Sequence, residues 1–190
     1  MILLKDLLPE VFKLPDVVYH GSGLDFDKFD KSRSNFRGTI YFTTDEDFAK
    51  AFAAERRTVT GKAVVYHCRL NVSKIFDPEN IESLDTLKPI IRKLIEKKYK
   101  DSVTGAYFVV PNSTIYIDGR EIDNPTIDDA VNWYLWRIKN GSWRILEGEN
   151  ILNFIQKNGY DALLTKEVGA QNIAVFDADK INKVLDWACN

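Results

Sequence analysis

The sequence predicts one α+β domain, and three observations carry that reading. Short runs of alternating or β-branched apolar residues recur at 17–20, 38–44, 62–70, 160–165 and 172–177, bounded by glycine and polar turn residues, as strands are. Between them, apolar residues return at helical spacing over 87–98, 127–138 and 149–158. The length, 190 residues with 45% hydrophobic and 28% charged, suits a single core and is short for two. These patterns fix the class before the topology, because several α+β arrangements accommodate them.

Composition excludes more than it assigns. A formal charge of −2 gives no overall pull toward nucleic acid or an anionic membrane. Two cysteines, Cys68 and Cys189, and two histidines, His20 and His67, form neither a disulfide framework nor a zinc pattern, so no metal site is expected. The opening Met1-Ile2-Leu3-Leu4 is broken by Lys5 and Asp6, too short for a signal sequence, and no later run approaches a membrane span. A reducing, cytoplasmic location is the expectation.

In chain order, Leu3, Leu4, Leu7, Leu8 and Val11 predict a short N-terminal turn or helix interrupted at Pro9. A strand at 17–20 ends at Gly21. The acidic loop 25–30 is anchored by Phe26 and Phe29, and 32–38 reads as a mobile segment. After the strand at 38–44, Thr44 and Asp47 predict a near capping box, opening a helix with Phe48, Ala51, Phe52 and Glu55 on one face. Gly61 turns the chain into a half-buried strand at 62–70, with His67 on its polar side.

Residues 77–145 read as an insertion between core strands. Leu87, Ile91, Leu94, Ile95 and Lys98 form a helix stripe surrounded by Lys88, Arg92, Lys93, Lys97 and Lys100, a solvated face or a docking surface for an acidic partner or nucleic acid. A small hairpin is predicted from 106–110 and 114–117, with turns at Pro111-Asn112 and Asp118-Gly119. Asn124-Pro125 opens a helix on which Trp133 and Trp136 lie off the apolar stripe, packed under the insertion or presented to a partner. A helix at 149–158 stops at Asn158-Gly159, and a loop at 166–171 separates the last two strands.

The corner His20-Gly21-Ser22 gathers an imidazole, a glycine backbone N–H and a hydroxyl, suited to a ligand bearing amide and sugar hydroxyl groups. The same corner also serves as an ordinary structural strand end.

Three stretches stand in an informative order: Tyr19-His20-Gly21-Ser22, then Gly38-Thr39-Ile40-Tyr41-Phe42, then Asn172-Ile173-Ala174-Val175-Phe176-Asp177. They resemble the diphtheria-toxin and poly(ADP-ribose) polymerase branch of the ADP-ribosyltransferase superfamily, and most nearly the compact transferase domains of phage and mobile-element polyvalent proteins. The resemblance covers roughly 17–76 and 145–182 and leaves the insertion unexplained. It implies a split β core, two small and mostly antiparallel sheets around an NAD cleft, and a mono-ADP-ribosyltransferase that uses NAD to modify a macromolecule, protein in preference to nucleic acid; the charge and the lack of an apolar span add the expectation of no membrane partner. Carried over by position, His20 would bind ribose hydroxyls, the Gly21 backbone would hold the carboxamide, Tyr41 would stack on the nicotinamide, and Ser22 belongs to the same cofactor-binding corner. Phe52, eleven residues after Tyr41, would be the second stacking aromatic. Ala49 falls where many relatives place a serine, so one carboxamide bond is missing.

The carboxylate expected at the start of the last motif is here Asn172, preceded by Gln171. A charge 4 Å from a developing cation is worth about 4 kcal/mol at an effective dielectric of ~20. At 1.36 kcal/mol per tenfold, its loss is roughly three decades of rate. Three outcomes stay open: Asn172 or Gln171 acts through its carbonyl, Glu167 swings in from the loop before the strand, or activity is lost and an NAD-binding or interaction module remains.

Overall fold

The computed structural model describes residues 12–33, 38–57, 61–167 and 169–188. The expected N-terminal helix and most of the 32–38 segment lie outside the described residues. Seven strands are hydrogen-bonded in one order. From one edge these are β4 (Ile75–Phe76), β7 (Ala162–Glu167), β8 (Ala170–Val175), β2 (Ile40–Thr43), β1 (Val18–Ser22), β3 (Val64–Leu70) and β9 (Ile181–Ala188). Only β4 and β7 run parallel; every other neighbouring pair is antiparallel. The two small sheets anticipated from sequence are joined into this one sheet as its two halves. They meet at a single registered pair, Tyr19 with Thr43. One residue farther along, the His20 imidazole instead meets the Tyr41 carbonyl, Nδ1 to O 2.7 Å.

Because side chains alternate along a strand, the register sorts the site residues by face. Tyr19, Gly21, Tyr41, Thr43, Leu163, Thr165, Asn172 and Ala174 share one face. His20, Phe42, Tyr66, Leu164, Ile173 and Val175 share the other. Helix α1 (Glu46–Arg56) covers the first face over β1 and β3, burying Ala49 and Ala53. The insertion covers the same face over β7 and β8. It contributes α2 (Ile81–Asp85), α3 (Lys88–Glu96), the hairpin β5 (Ile115–Ile117) and β6 (Arg120–Ile122), α4 (Ile127–Lys139) and α5 (Trp143–Leu146), and it is followed by α6 (Glu149–Lys157). Leu87, Ile91, Leu94, Ile95, Tyr134, Ile138, Ile151 and Ile155 form one core with Leu163, Ala174 and Phe176. The second face is packed by Phe26 and Phe29 of the 25–30 loop, as their spacing predicts.

Several local expectations change. Strand β1 runs on through Gly21 and Ser22, because Gly21 lies under α1 and does not end the strand. The cap of α1 is Asp45, whose Oδ1 accepts from the N–H groups of Asp47 (2.9 Å) and Phe48 (3.0 Å), while Thr43 Oγ1 accepts from Asp45 N. Its buried residues are the alanines, so Phe48 is half-buried and Phe52 exposed. Strand β3 is buried on both faces at Val64, Val65 and Tyr66, since α1 and the 25–30 loop cover opposite sides. The hairpin turns at Asp118-Gly119, where φ is +48° and +77°, as a two-residue turn of the kind favoured by strand twist requires. Residues 106–110 contribute only an isolated bridge between Lys100 and Tyr107. Helix α4 is capped by Thr126 in a capping box with Asp129, not by Asn124-Pro125, and α3 ends before Lys98. Both indoles belong to the insertion: Trp133 packs on its core and Trp136 Nε1 donates to Asp118, 2.9 Å. Finally, 166–171 is no open loop, because β7 and β8 continue to a tight turn and pair Lys166 with Gln171 and Glu167 with Ala170.

Candidate functional site

Contact between α1 and β1 starts from the absence of a side chain. A Cβ on Gly21 would stand 2.1 Å from the Ala49 carbonyl oxygen and 3.1 Å from Ala53 N. The helix axis is therefore as close to the strand as its own backbone allows, and Ala49 (1% exposed) and Ala53 (0%) are the residues small enough to face it. Glu46 on one flank of α1 reaches toward His67 of β3, Oε1 to Nε2 3.6 Å. Phe48 and Phe52 fall on the opposite flank, toward β2. Phe52 remains 39% exposed, with the Arg56 guanidinium 5.1 Å from its ring centre.

Tyr41, half-buried on the same face, donates its hydroxyl to Glu147 Oε1 at 2.6 Å. Glu147 lies at the junction of α5 and α6 and is 7% exposed. Burial pushes its pKa up, the bond from Tyr41 pulls the other way, and the Glu167 carboxylate raises it further. Burial and the Glu147 charge push the Tyr41 hydroxyl up as well, so it stays a donor at neutral pH. Asn172, 4% exposed, is flanked across the sheet by Thr43 and Thr165. Its side-chain amide has no hydrogen-bond partner among the described residues.

His20 enters from the other face. Its ring packs 5.1 Å from Phe29, 5.6 Å from Phe42 and 6.0 Å from Phe26, centre to centre. Burial holds its pKa below the usual histidine value; the Tyr41 carbonyl opposes this and Lys183 reinforces it. Since the ring is neutral and donates from Nδ1, Nε2 is left as an acceptor. Ser22 is occupied in a local turn, its Oγ donating to Leu24 O (2.7 Å) and accepting from Leu24 N (3.1 Å). Gln171 is on the face opposite Asn172, and its carbonyl accepts from Thr44 N at 3.2 Å. Glu167 is the exposed last residue of β7.

The tertiary structure thus places Gly21, Tyr41 and Asn172 on one face of the sheet, with Ala49 over Gly21 and Phe52 on the flank of α1; it leaves the His20 ring and Gln171 on the opposite face, His20 meeting the site only at the Tyr41 carbonyl, and Ser22 in a local turn. Sequence reasoning missed Glu147. Its local signal, a charge between the apolar pairs Ile145-Leu146 and Ile151-Leu152, is shared by Glu149 and so does not single it out.

The family model for the ADP-ribosyltransferase in polyvalent proteins matches residues 14–188. The chain belongs to that family. No curated protein and no solved structure matches it. The matched range spans 77–145, so the helical insertion falls within the extent of the match. Its core is built accordingly, with Leu163 and Ala174 of the sheet sharing a cluster with the insertion helices. No helix among the described residues of the domain is long and apolar enough to cross a membrane.

Proposed function

We propose that the domain is an NAD-dependent mono-ADP-ribosyltransferase that modifies a macromolecule, protein in preference to nucleic acid. The observation that carries this reading is the placement of Tyr41: half-buried, on the sheet face bordered by the Phe52 flank of α1, where the two halves of the sheet part. An aromatic ring held by a hydroxyl bond, a second ring across a helix flank, and an unpartnered amide at Asn172 suit a flat carboxamide-bearing ring and a ribose.

In this reading the bond between ribose C1′ and the nicotinamide nitrogen breaks, and its electron pair passes to the nitrogen and cancels the pyridinium charge. Positive charge moves to the ribose. The acceptor's lone pair then closes on C1′ and its proton leaves to solvent. The protein's part is to stack the leaving ring, hold the ribose and oppose the migrating charge. A second reading, an NAD-binding module without turnover, draws on the amide at position 172.

Nicotinamide release from NAD separates the two readings, and calorimetric NAD titration tests the pocket they share. Tyr41→Ala is expected to weaken NAD binding at least tenfold, about 1.4 kcal/mol. Equal affinity in wild type and variant, or none in either, overturns the pocket.

A further inference from the structure

We propose that Glu147, delivered by the α5–α6 junction, supplies the negative charge that opposes the cation developing on the ribose, a task for which β8 offers only the Asn172 amide. The inference rests on the transferase reading above. Its starting point is an imbalance between two carboxylates of the same region. Asp101, fully buried, is satisfied in the way a structural carboxylate is: it accepts from the N–H groups of Val103 (3.0 Å), Thr104 (2.8 Å) and Glu149 (3.0 Å) and from the Thr104 hydroxyl (3.1 Å). Glu147 is almost as buried and has one bond, from the Tyr41 hydroxyl. It makes no ion pair with any described lysine or arginine, and Oε2 has no hydrogen-bond partner among the described residues.

Burying a carboxylate with a single neutral donor is unfavourable, and a glutamine would keep that bond without the charge. Fixing the Tyr41 ring therefore does not account for the charge. A cation that arises beside Tyr41 does, because a largely buried carboxylate with no cationic partner has its strongest interaction at the moment positive charge appears. The register supports the location: Tyr41, Asn172, Thr165 and Glu167 lie on the same face, and Glu147 sits against Tyr41 within electrostatic reach of Glu167. In the reaction, Glu147 stays ionised. It takes up no electron pair and forms no bond to C1′; the acceptor's proton still leaves to solvent.

The test compares wild type with Glu147→Gln in the full chain, measuring nicotinamide release at saturating NAD, NAD affinity by calorimetry, and the melting temperature. The amide can still accept from Tyr41, so folding is preserved while the charge is lost. Release should fall about 100-fold or more, NAD affinity should stay within about threefold, and the melting temperature should hold or rise as an unpaired buried charge is removed. Release within threefold of wild type overturns the role of Glu147 and leaves the transferase reading standing. A lowered melting temperature with lost NAD affinity assigns Glu147 to structure and also overturns it. Wild-type protein that binds NAD without releasing nicotinamide overturns turnover and this role together, and wild-type protein that fails to bind NAD overturns the site itself.

Discussion

Gly21→Ala is expected to detach α1 from the sheet or to unfold the domain. The added methyl carbon would meet the Ala49 carbonyl oxygen at 2.1 Å, with the Ala49 carbonyl carbon at 3.0 Å and Ala53 N at 3.1 Å. All three are backbone atoms, so no side chain can swing aside and the helix itself must lift. Ordinary overpacking costs about 1–3 kcal/mol. Displacing a whole helix also uncovers Ala49, Ala53, Ala63 and Val65, which form a small core of their own. A loss above about 4 kcal/mol is therefore expected, a large part of the 5–15 kcal/mol typical of a domain. Gly159→Ala is the matched control: its φ of +78° is strained for alanine but nothing lies within 4 Å of the new carbon, so it should cost only about 1 kcal/mol. Urea denaturation of both variants checks the contrast, and equal midpoints would show that the close approach of α1 contributes nothing special.

Asp161→Asn should lower stability by about 3 kcal/mol at neutral pH. This carboxylate joins three segments that are remote in sequence. Oδ2 accepts from Ser73 N (2.7 Å), Ser73 Oγ (2.7 Å) and Lys74 N (3.2 Å), and Oδ1 accepts from Lys180 Nζ (2.5 Å). The β3–β4 link, the α6–β7 link and the turn before β9 are thereby held at one end of the sheet. An asparagine turns two N–H donors toward a ring of donors and removes the charge that Lys180 faces. Burial alone would raise the Asp161 pKa; the Lys180, Ser73 and Lys74 bonds outweigh it and hold the group well below the usual carboxylate range. The sign follows from linkage. A depressed folded pKa gives stability that is fully present above the unfolded value, near 3.9, and is lost as pH falls toward the folded one. The gap between wild type and Asp161→Asn should therefore be widest at pH 7 and narrow below about pH 4. A gap independent of pH would assign the effect to packing and not to the charge.

How much of the site was legible beforehand depends on how far apart its residues are in sequence. The Tyr41 and Asn172 stretches were readable because each is a strand carrying its own alternation, and Phe26 and Phe29 because two aromatics in a polar loop have few places to go but the core. Position 21 was legible only in part: glycine signalled a special backbone, but as a strand end. Its actual reason, the underside of α1, involves Ala49 and Ala53 some thirty residues on. Strand β9 has no clear sequence signal, because Asn182, Lys183 and Asp186 interrupt its apolar pattern, as polar and charged residues do on sheet edges. The β7–β8 turn reads as a loop for a similar reason, since Lys166, Glu167 and Gln171 are polar, though Lys166 pairs with Gln171 and Glu167 with Ala170.

By itself the sequence determined the α+β class, the order of the three family stretches, the helix stop at Asn158-Gly159 and the two-residue turn at Asp118-Gly119. Each of these is a preference of dihedral angle or face that neighbouring residues encode locally. Only the tertiary structure decided that the His20 imidazole meets the Tyr41 carbonyl where the sheet halves part, that Asn172 lies between Thr43 and Thr165, and that Glu147 closes on the Tyr41 hydroxyl 106 residues away. That last contact depends on the whole insertion packing its apolar stripes against Leu163 and Ala174, and no local pattern specifies where a buried charge arrives when such a layer settles on a sheet.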